Sequence, residues 1–396
     1  MPGEIPGHLM DTKVLKYGYS FKALLCAATL TASAPAFAQI WVSNTTFPGD
    51  AWSVASSEDG TKLVAGGWPS VYTSTNSGAT WTSNNLPAYW WTALASSADG
   101  THLVTSSGHG GPLYTSTNSG TTWTSNSLPI DYWFGVGSSA DGTRLVAVVD
   151  YGYIYTSTNS GTTWTSNSST FGFWMSAGSS ADGNTLVAMA QYGRICTSSN
   201  AGLTWALTII PGAALYGGVA SSADGTRLVA AAYGAPIYTS TNSGATWNPT
   251  ASAAKGWMCA SSSADGKCLV AGTGGAAGPG PIYISTNSGA TWGPTDAPNG
   301  DWWSVASSAD GSRLAAVAPG TVYTWQPAPV LSTTLANGAL VLSWVSTALP
   351  FVLQQNPKLV TSNWEVVTNV QVTANGRCAV AVSPFASRNF YRLRSP

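Results

Sequence analysis

The sequence predicts an all-β protein: a seven-bladed β-propeller closed by the mature N-terminal strand, followed by a small β-sandwich. Two repeated phrases lead to this prediction. Ser-Ser-x-Asp-Gly occurs seven times at a spacing of 40 to 45 residues. The phrase Ser-Thr-Asn-Ser-Gly-Ala-Thr-Trp, or a close variant, follows each of the first six copies. A period of this length is typical of solenoids, propellers and repeat arrays.

Each period contains four short segments with strand-like composition, separated by turn residues. In the first period these segments are residues 52–56, 62–65, 71–74 and 80–83, and the intervening turns contain Asp59-Gly60 and Ser77-Gly78. Glycine suits tight hairpins because it adopts a positive φ without steric cost. Four antiparallel strands per period favour propeller blades over a solenoid.

The seventh period ends without its fourth strand. Its segments are residues 302–307, 313–317 and 321–325, after which the repeat stops. Residues 40–44 match residues 80–84, which form the fourth segment of the first period. We therefore expect residues 40–44 to pair with residues 321–325, which would close the ring and leave no exposed blade edge at the seam.

The chain divides into three parts: a signal peptide (1–39), the propeller (40–326) and a C-terminal module (327–396). Lys13, Lys16 and Lys22 precede an apolar stretch at residues 23–34, and Ala36-Phe37-Ala38 has the small residues of a cleavage site. Twelve apolar residues are too few to span a bilayer. We expect a secreted or cell-surface protein without a membrane span, and whether translation starts at Met10 stays open.

Charge excludes one class of function. Only 8 % of the residues are charged and the net charge is −1, so the chain has no broad basic surface for nucleic acid. Residues 40–326 contain 7 Lys and Arg against 13 Asp and Glu, a net charge of −6. Residues 327–396 contain 5 against 1, a net charge of +4. The propeller is therefore acidic and the C-terminal module basic.

The cysteines of the mature chain do not form an obvious disulfide framework. They are Cys196, Cys259, Cys268 and Cys378. A tight turn at Asp265-Gly266 would place Ser263, not Cys259, opposite Cys268. We expect buried thiols that pack as small apolar residues, with a Cys259–Cys268 bridge as the alternative.

The eight-residue phrase resembles the Asp-box, or BNR repeat, of sialidases, sortilin-type receptors and photosystem II assembly-factor-like propellers. The resemblance covers residues 40–325 and implies a structural hairpin remote from any active site. Asparagine stands where these families usually have aspartate, at Asn76, Asn118, Asn159, Asn200, Asn242 and Asn287. Asparagine can accept the same turn-closing hydrogen bonds, but it supplies no carboxylate for a calcium loop. Residues 327–396 resemble, in layout, small β-sandwich modules of secreted bacterial proteins.

Propeller geometry places both repeated turns on one face, the bottom, and the variable loops on the top. Binding residues usually lie in variable loops on a rigid frame. The position five residues before each Ser-Ser pair holds an aromatic residue in six of the seven repeats. We predict that these six side chains form a ring near the top of the central funnel. With one neighbour, they give the candidate ligand-binding residues Trp91, Trp133, Trp174, Tyr216, Trp257, Trp302 and Trp303.

Other aromatic residues could extend this ring: Trp52, Trp90, Trp68, Tyr132, Tyr151 and Tyr192. Aromatic faces beside Asn, Ser and Thr suit neutral glycans. The alternative is structural, because a large side chain at the strand entry would fill the wedge between neighbouring blades.

An enzymatic function has less support in the sequence. Sialidase chemistry needs an arginine clamp, yet Arg144, Arg227 and Arg313 follow the bottom turns. A glycoside hydrolase needs only two carboxyl groups across a cleft. The top-loop candidates for that role are Asp50, Asp301 and Asp131, together with Asp150 and Asp296. The three histidines, His8, His102 and His109, suggest neither a catalytic triad nor a zinc site.

The function predicted from the sequence is non-catalytic recognition of a polysaccharide or partner protein through the aromatic-rich top face. The alternatives are a glycoside hydrolase that uses top-face aspartates and an assembly-factor-like propeller. We predict no cofactor or metal, no nucleic-acid partner, and a monomer.

Overall fold

A computed structural model describes residues 39–44, 47–108, 110–126, 128–129, 131–213, 217–327, 331–336, 339–345, 352–356, 364–368, 371–374, 377–382 and 390–394. The predicted signal peptide lies outside these residues except for Gln39. Two compact units are present, of which one is Ile40–Gln326 and the other includes Pro327–Pro396. The helical elements of the described residues are the 3₁₀ turns Gln191–Gly193 and Gly275–Ala277, and no helix there is long and apolar enough to cross a membrane.

The described part of the first unit contains seven four-stranded antiparallel sheets, here called blades 1 to 7. In chain order, the strands of blades 1 to 3 are β2 (Asp50–Ser56), β3 (Leu63–Trp68), β4 (Val71–Ser74), β5 (Thr82–Ser83); β6 (Trp91–Ser96), β7 (Leu103–Ser107), β8 (Leu113–Ser116), β9 (Thr124–Ser125); and β10 (Trp133–Ser138), β11 (Leu145–Val149), β12 (Gly152–Ser157), β13 (Thr165–Gly172).

Blades 4 to 7 have the same order. Their strands are β14 (Trp174–Ser179), β15 (Leu186–Ala190), β16 (Arg194–Ser198), β17 (Ala206–Ile209); β18 (Gly217–Ser221), β19 (Leu228–Ala232), β20 (Tyr238–Ser240), β21 (Asn248–Pro249); β22 (Trp257–Ser262), β23 (Leu269–Thr273), β24 (Ile282–Ser285), β25 (Gly293–Pro294); and β26 (Ser304–Ser307), β27 (Leu314–Ala318), β28 (Thr321–Pro327) with β1 (Gln39–Asn44). The first strand of each blade contacts that of the next, and β26 contacts β2, which completes a propeller.

The N-terminal strand closes the ring, as predicted. The strand order in blade 7 is β1-β28-β27-β26, so β1 is hydrogen-bonded to β28. The Trp41 ring lies 6.0 Å from that of Trp325 and 6.2 Å from that of Trp302. Its indole Nε1 donates a hydrogen bond to Thr295 Oγ1 at 3.0 Å. The seam is therefore sealed by backbone pairing and by a packed tryptophan.

The Ser-Ser-x-Asp-Gly turns are held by one recurring set of hydrogen bonds. In blade 1, Ser57 Oγ donates to Asp59 Oδ1 at 2.6 Å and accepts from the Lys62 N–H at 3.0 Å. The Thr61 N–H donates to the same carboxylate oxygen at 2.9 Å. Gly60 has φ 69°, a conformation that glycine adopts without a Cβ clash.

These turns are also joined into a closed circle. The residue before each aspartate donates its N–H to the carbonyl oxygen of the equivalent residue in the next blade, at 2.7 to 2.8 Å. The circle runs through Glu58, Ala98, Ala140, Ala181, Ala223, Ala264 and Ala309, and Ala309 donates back to Glu58. Every blade is thus linked to the next by a backbone hydrogen bond.

The asparagine of each eight-residue phrase closes a hairpin. Asn76 Oδ1 accepts from Ser74 Oγ and from the Thr80 N–H, both at 2.9 Å, and Nδ2 donates to Thr80 Oγ1 at 2.9 Å. The same pattern recurs at Asn118, Asn159, Asn200, Asn242 and Asn287. The Ser77 N–H donates to the Thr61 carbonyl oxygen at 2.8 Å, so both repeated turns share the bottom face.

The second strand of each blade forms the core. β11, Leu145–Val149, is buried at all five residues, and so are its equivalents β7, β15, β19, β23 and β27. A strand covered on both faces has a continuous apolar sequence instead of an alternating one. The core therefore lies in layers between neighbouring blades.

The four cysteines are free thiols, as predicted. Ser263, not Cys259, is opposite Cys268, because the Ser263 N–H donates to the Cys268 carbonyl oxygen at 2.8 Å. Cys259 is instead opposite Gly272. Burial raises the pKa of the Cys259 thiol to about 12. The alternative Cys259–Cys268 bridge is not formed.

The C-terminal unit contains two antiparallel sheets. The strands of the first are β29 (Ser332–Ala336), β30 (Ala339–Val345), β34 (Arg377–Val382) and β33 (Gln371–Ala374), and those of the second are β32 (Glu365–Val366), β31 (Val352–Asn356) and β35 (Phe390–Arg394). Leu342, Trp344 and Val380 are buried in the first sheet and Leu353 in the second. The Arg392 guanidinium lies 4.2 Å from the centre of the Trp364 ring.

Candidate functional site

The predicted aromatic ring lies inside the blade interfaces and not in the funnel. Five of its members, Trp91, Trp133, Trp174, Trp257 and Trp302, are 0 % exposed. Trp133, for example, packs against Val104 and Leu113 of blade 2 and against Ala147 of blade 3. This corrects the expectation that these side chains form a stacking platform, because a fully buried ring presents no face to a ligand. Tyr216 lies outside the described residues.

The funnel wall is formed by the residue that follows each of these positions. In five blades a β-bulge interrupts the pairing of the first strand with the second. In blade 3, for example, the register shifts between the buried residue Trp133 and Gly135. The residue in the middle of each β-bulge is Trp52, Thr92, Phe134, Met175 or Met258. A bulge inserts one extra residue and can redirect a side chain, so these side chains face the axis while their neighbours enter the wedge.

A cavity of about 170 Å³ lies where these residues meet. The first strands of the blades, or the residues just before them, supply one lining residue per blade, and Trp90 adds an eighth. The lining residues are Trp52, Thr92, Phe134, Met175, Gly217, Met258, Trp303 and Trp90. We call this cavity the funnel. Of the six candidate ligand-binding residues that the structure describes, only Trp303 lines it.

Aromatic rings are concentrated on one side of the funnel. Trp52 lies 5.2 Å from Trp303 and 5.5 Å from Trp90, centre to centre. Trp90 contacts Trp68 at 5.4 Å, and the Trp68 side chain is 41 % exposed. This tryptophan group therefore extends from the funnel to the surface. Adaptable methionine side chains lie elsewhere in the wall.

The described residues of the funnel lining carry few polar side-chain groups, namely one hydroxyl and the indole N–H groups of three tryptophans. The hydroxyl is that of Thr92, whose Oγ1 donates to the Trp133 carbonyl oxygen at 2.9 Å. No lining residue carries a charge. A Cβ on Gly217 would lie 2.5 Å from the Ala231 carbonyl oxygen, so this position excludes a side chain. The funnel is thus a predominantly apolar cavity, in which the indole N–H groups of the tryptophans are the remaining side-chain donors of the described lining.

None of the candidate aspartates lines the funnel. Asp301 Oδ1 accepts from the Gly275 N–H at 3.0 Å, and Asp131 Oδ1 accepts from the Tyr132 N–H at 2.8 Å. Asp50 is exposed at the start of β2 and is opposite Trp68. Burial raises the pKa of both Asp150 and Asp296 above the ordinary value. Asp131 is thus bonded within its own turn and Asp301 to the backbone of the loop at Gly275, contacts that are typical of structural aspartates.

The arginines that follow the bottom turns contact polar side chains of the neighbouring blades. Arg227 donates to Ser288 Oγ at 3.1 Å and Arg313 to Ser77 Oγ at 3.2 Å, both at the bottom face. Arg144 bonds to Asn184 in the same way. Among the described residues, no group of three or more His, Cys, Asp or Glu side chains could hold a metal. His109 lies outside those residues.

Sequence reasoning missed Thr92, Phe134, Met175, Gly217 and Met258 as funnel residues. A signal for them was present: this position varies between tryptophan, threonine, phenylalanine, methionine and glycine from blade to blade. The preceding position is aromatic in six of seven blades, and such uniformity is what a repeated packing role requires. The position whose residue varies from blade to blade therefore predicts the funnel lining better than the uniformly aromatic position before it.

Known proteins resemble this chain in fold. No family model matches the sequence, and no curated protein matches it. Similar solved structures include "YCF48 bound to D1 peptide", with 15 % sequence identity and a TM-score of 0.56 over 73 % of this chain and 97 % of that one. YCF48 from Cyanidioschyzon merolae has 15 % identity and a TM-score of 0.57 over 72 % of this chain and 98 % of that one. The chain therefore has the β-propeller fold that these structures share.

Proposed function

We propose that this protein is a non-catalytic recognition propeller whose funnel binds an apolar side chain or chain end of a polypeptide partner. One observation carries the proposal. Every funnel residue is aromatic, methionine or glycine except Thr92, whose hydroxyl already donates to the Trp133 carbonyl oxygen. Such a wall gains free energy from apolar contact and offers almost nothing to a polar ligand.

The size of the funnel fits this occupant. Its 170 Å³ is the volume of about six water molecules in the liquid. That space holds one large apolar side chain, and not an extended ligand. The methionines at positions 175 and 258 can adjust to different side-chain shapes. The funnel would therefore anchor a segment whose remainder lies on the top face.

A sugar is a poorer fit to the same wall. Each sugar ring carries several hydroxyl groups, and burying one without a partner costs about 1–3 kcal/mol. The described lining offers one hydroxyl, which is already bonded, and the single N–H donors of its tryptophans, which are too few for the hydroxyl groups of a buried sugar ring. A similar propeller of known structure, "YCF48 bound to D1 peptide", is described as a complex with a peptide. That description supports a polypeptide ligand for this fold.

Hydrolysis receives no support from the carboxylates. Oxygens of Asp131 and Asp301 accept hydrogen bonds from backbone N–H groups, as structural turn residues do. Asp50 is solvent-exposed, and no carboxylate lines the funnel. We therefore infer recognition without catalysis.

A polysaccharide is the second candidate ligand because of Trp68. Its side chain is 41 % exposed and packs on Trp90, which leaves a flat aromatic surface outside the funnel. A sugar could stack there while its hydroxyl groups stay in water. The glycan would then bind beside the funnel and not within it.

Methionine methyl NMR tests the proposal directly. The described residues contain three methionines: Met175 and Met258 in the funnel, and Met189, which is buried in the core and serves as an internal control. We expect N-acetylphenylalaninamide to shift the two funnel methyl signals and to leave Met189 unchanged. Phe134→Ala should weaken this response, and Leu203→Ala, at an 81 % exposed residue of a bottom hairpin, should not.

Two outcomes would contradict the polypeptide proposal. In the first, cello- or chito-oligosaccharides move the funnel methyl signals and acylated amino-acid amides do not. In the second, neither class of probe moves them at millimolar concentration. The glycan alternative predicts no methyl shift but a change in tryptophan fluorescence that Trp68→Ala abolishes.

We also infer export through the predicted signal peptide, on the strength of the basic and apolar segments described above. Expression with the full leader should yield a mature chain cleaved after Ala38, within one residue of the predicted boundary between residues 39 and 40. The intact mass of the exported protein would show this, and a retained leader would contradict it.

A further inference from the structure

A second aromatic surface lies on the rim of blades 3 and 4, outside the funnel. It consists of Tyr132, Tyr151, Phe171, Phe173 and Tyr192, all of them exposed. We call this group the aromatic rim. Monomeric proteins rarely expose so many large apolar side chains in one place without a use for them. The aromatic rim is therefore a candidate binding surface.

Ring contacts and backbone hydrogen bonds connect the members of the aromatic rim. The Tyr151 ring lies 4.9 Å from that of Phe171 and 5.0 Å from that of Phe173. The Phe173 carbonyl oxygen accepts from the Gln191 N–H at 2.9 Å, next to Tyr192. The Tyr132 carbonyl oxygen accepts from the Asp150 N–H at 2.9 Å, next to Tyr151. Tyr151, Phe171 and Phe173 therefore form one cluster of rings, and Tyr132 and Tyr192 lie in the adjoining backbone segments.

Blade 3 differs from the other blades where it supports this surface. Its outer strand β13 has eight residues, whereas the outer strands β5, β9, β21 and β25 have two each. The additional length carries the strand to Gly172, which is opposite Gly152 near the top of β12. Phe171 and Phe173 flank this end of the strand. The extension thus brings two phenylalanines to Tyr151.

Two tyrosines of the aromatic rim have an unfavourable backbone conformation. Tyr151 has φ 56° and Tyr192 has φ 60°, a region that bulky residues rarely adopt. Tyr192 and Gly193, with φ 70°, occupy a tight turn in which Asn-Gly is the preferred pair. Their side chains are 65 % and 60 % exposed, so burial does not repay the strain. Strain of this kind is concentrated at functional sites.

The charges beside the aromatic rim are mainly negative. Asp131 and Asp150 each precede one of its tyrosines, and the negative charge of Asp131 acts on Asp150. The one ion pair found among the described residues, Lys267–Asp265, is at the bottom face. Arg194, two residues after Tyr192, is the basic residue of this region. The propeller as a whole has a net charge of −6 over residues 40–326, which favours cationic over anionic partners.

We propose that the aromatic rim binds a polypeptide segment that presents Lys or Arg side chains beside apolar ones. Cationic groups bind to the faces of exposed aromatic rings, and the nearby carboxylates of Asp131 and Asp150 add attraction. The apolar side chains of the segment cover Phe171 and Phe173. This proposal does not depend on the funnel, because it uses different residues and a different chemistry.

A selection from a random dodecapeptide library tests it. The full mature chain serves as bait, with counter-selection on the Tyr151→Asn, Tyr192→Asn double variant. We expect enriched peptides to carry Lys or Arg beside aromatic or aliphatic residues. An enriched peptide should bind at least tenfold more weakly to Tyr192→Asn and to the Asp131→Asn, Asp150→Asn variant, and should weaken as salt increases.

The melting temperature of each variant is measured separately from binding. The positive φ of Tyr192 provides a control for misfolding. Asparagine tolerates a positive φ better than tyrosine, so Tyr192→Asn should raise the melting temperature by about 2–4 °C while binding falls. Gain of stability with loss of binding cannot result from misfolding. Tyr233→Asn, in the equivalent loop of blade 5 where φ is not positive, should leave binding unchanged.

Four outcomes would overturn the proposal. The enriched peptides could be acidic or uncharged, or binding could be indifferent to Tyr151 and Tyr192. Zwitterionic or anionic lipid vesicles could bind in a way that these tyrosines control while peptides do not, which would identify a membrane surface. Light scattering could show a dimer that Tyr192→Asn dissociates, which would identify a second copy of this chain.

Discussion

Replacing Trp133 with alanine should destabilise the fold much more than replacing its neighbour Phe134. Trp133 is 0 % exposed and lies in the wedge between blades 2 and 3, where its ring is 5.1 Å from that of Tyr155. Phe134 is half-buried and faces the funnel. The two residues are adjacent in sequence, so the pair tests the register of the strand directly.

The magnitudes follow from burial. A tryptophan that loses about 200 Å² of contact at 25 cal/mol per Å² costs about 5 kcal/mol, and measured Trp→Ala changes in cores cost about 3–5 kcal/mol. We expect about 4 kcal/mol for Trp133→Ala, which corresponds to a fall in Tm of roughly 8–16 °C. Phe134→Ala removes a ring that already borders open space, and we expect about 1 kcal/mol.

Urea unfolding followed by circular dichroism measures both free energies, and methionine methyl NMR measures the funnel. Trp133→Phe is a useful control, because it keeps an aromatic ring and removes an indole N–H that is buried without an acceptor. It should cost less than half as much as Trp133→Ala. The register assignment is refuted if Phe134→Ala proves as destabilising as Trp133→Ala. It is refuted equally if Trp133→Ala is nearly neutral.

Three further predictions concern the bottom turns and the thiols. Asn76→Ala should cost about 1–2 kcal/mol in urea unfolding because the Thr80 N–H loses its acceptor, whereas Asn76→Asp should be nearly neutral at pH 7. Hydrogen bonds from serine and threonine lower the pKa of Asp59 from 3.8 to about 2. Since the folded pKa is the lower one, this stabilisation is complete above about pH 4 and is lost as pH falls toward 2. Asp59→Asn should reduce the slope of that part of the stability profile by the share of one of the seven equivalent aspartates. Burial raises the pKa of the Cys196 thiol to about 11 and that of Cys259 to about 12, so a thiol reagent at pH 8 should label these two only after unfolding.

The architecture could be predicted from the sequence because its determinants are local and repeated. Asp59 is bonded to residues within two positions of itself, and Asn76 to residues within four, so each turn is visible in a short window. Seven such windows, and a last period without its fourth strand, were enough to predict that β1 pairs with β28. The closure of the ring could be predicted because the last repeat has three strands and the N-terminal strand supplies the fourth.

The funnel could not be predicted in the same way, because it depends on strand register. A bulge after Trp133 adds one residue to one strand, and that residue, Phe134, enters the funnel. Residue type alone suggested that Trp133, and not Phe134, faces the funnel, because tryptophan is the stronger candidate for ligand stacking. The aromatic rim depends on a similar detail, the positive φ of Tyr151 and Tyr192, which their residue type disfavours. Both surfaces thus follow from backbone geometry that no periodic pattern encodes.

The circle of hydrogen bonds through Glu58, Ala98 and their equivalents has a consequence for how this chain could be rearranged. Each link is a hydrogen bond between main-chain groups, and the seven N···O distances are nearly equal. The same link is therefore present at every blade interface. A circularly permuted propeller (residues 40–326) that opens the chain in an asparagine hairpin, with the native seam joined by a short linker, would keep all seven links, because none of their residues lies in those hairpins. Such permutants should fold, and they would let the termini be placed at will for fusion to other proteins.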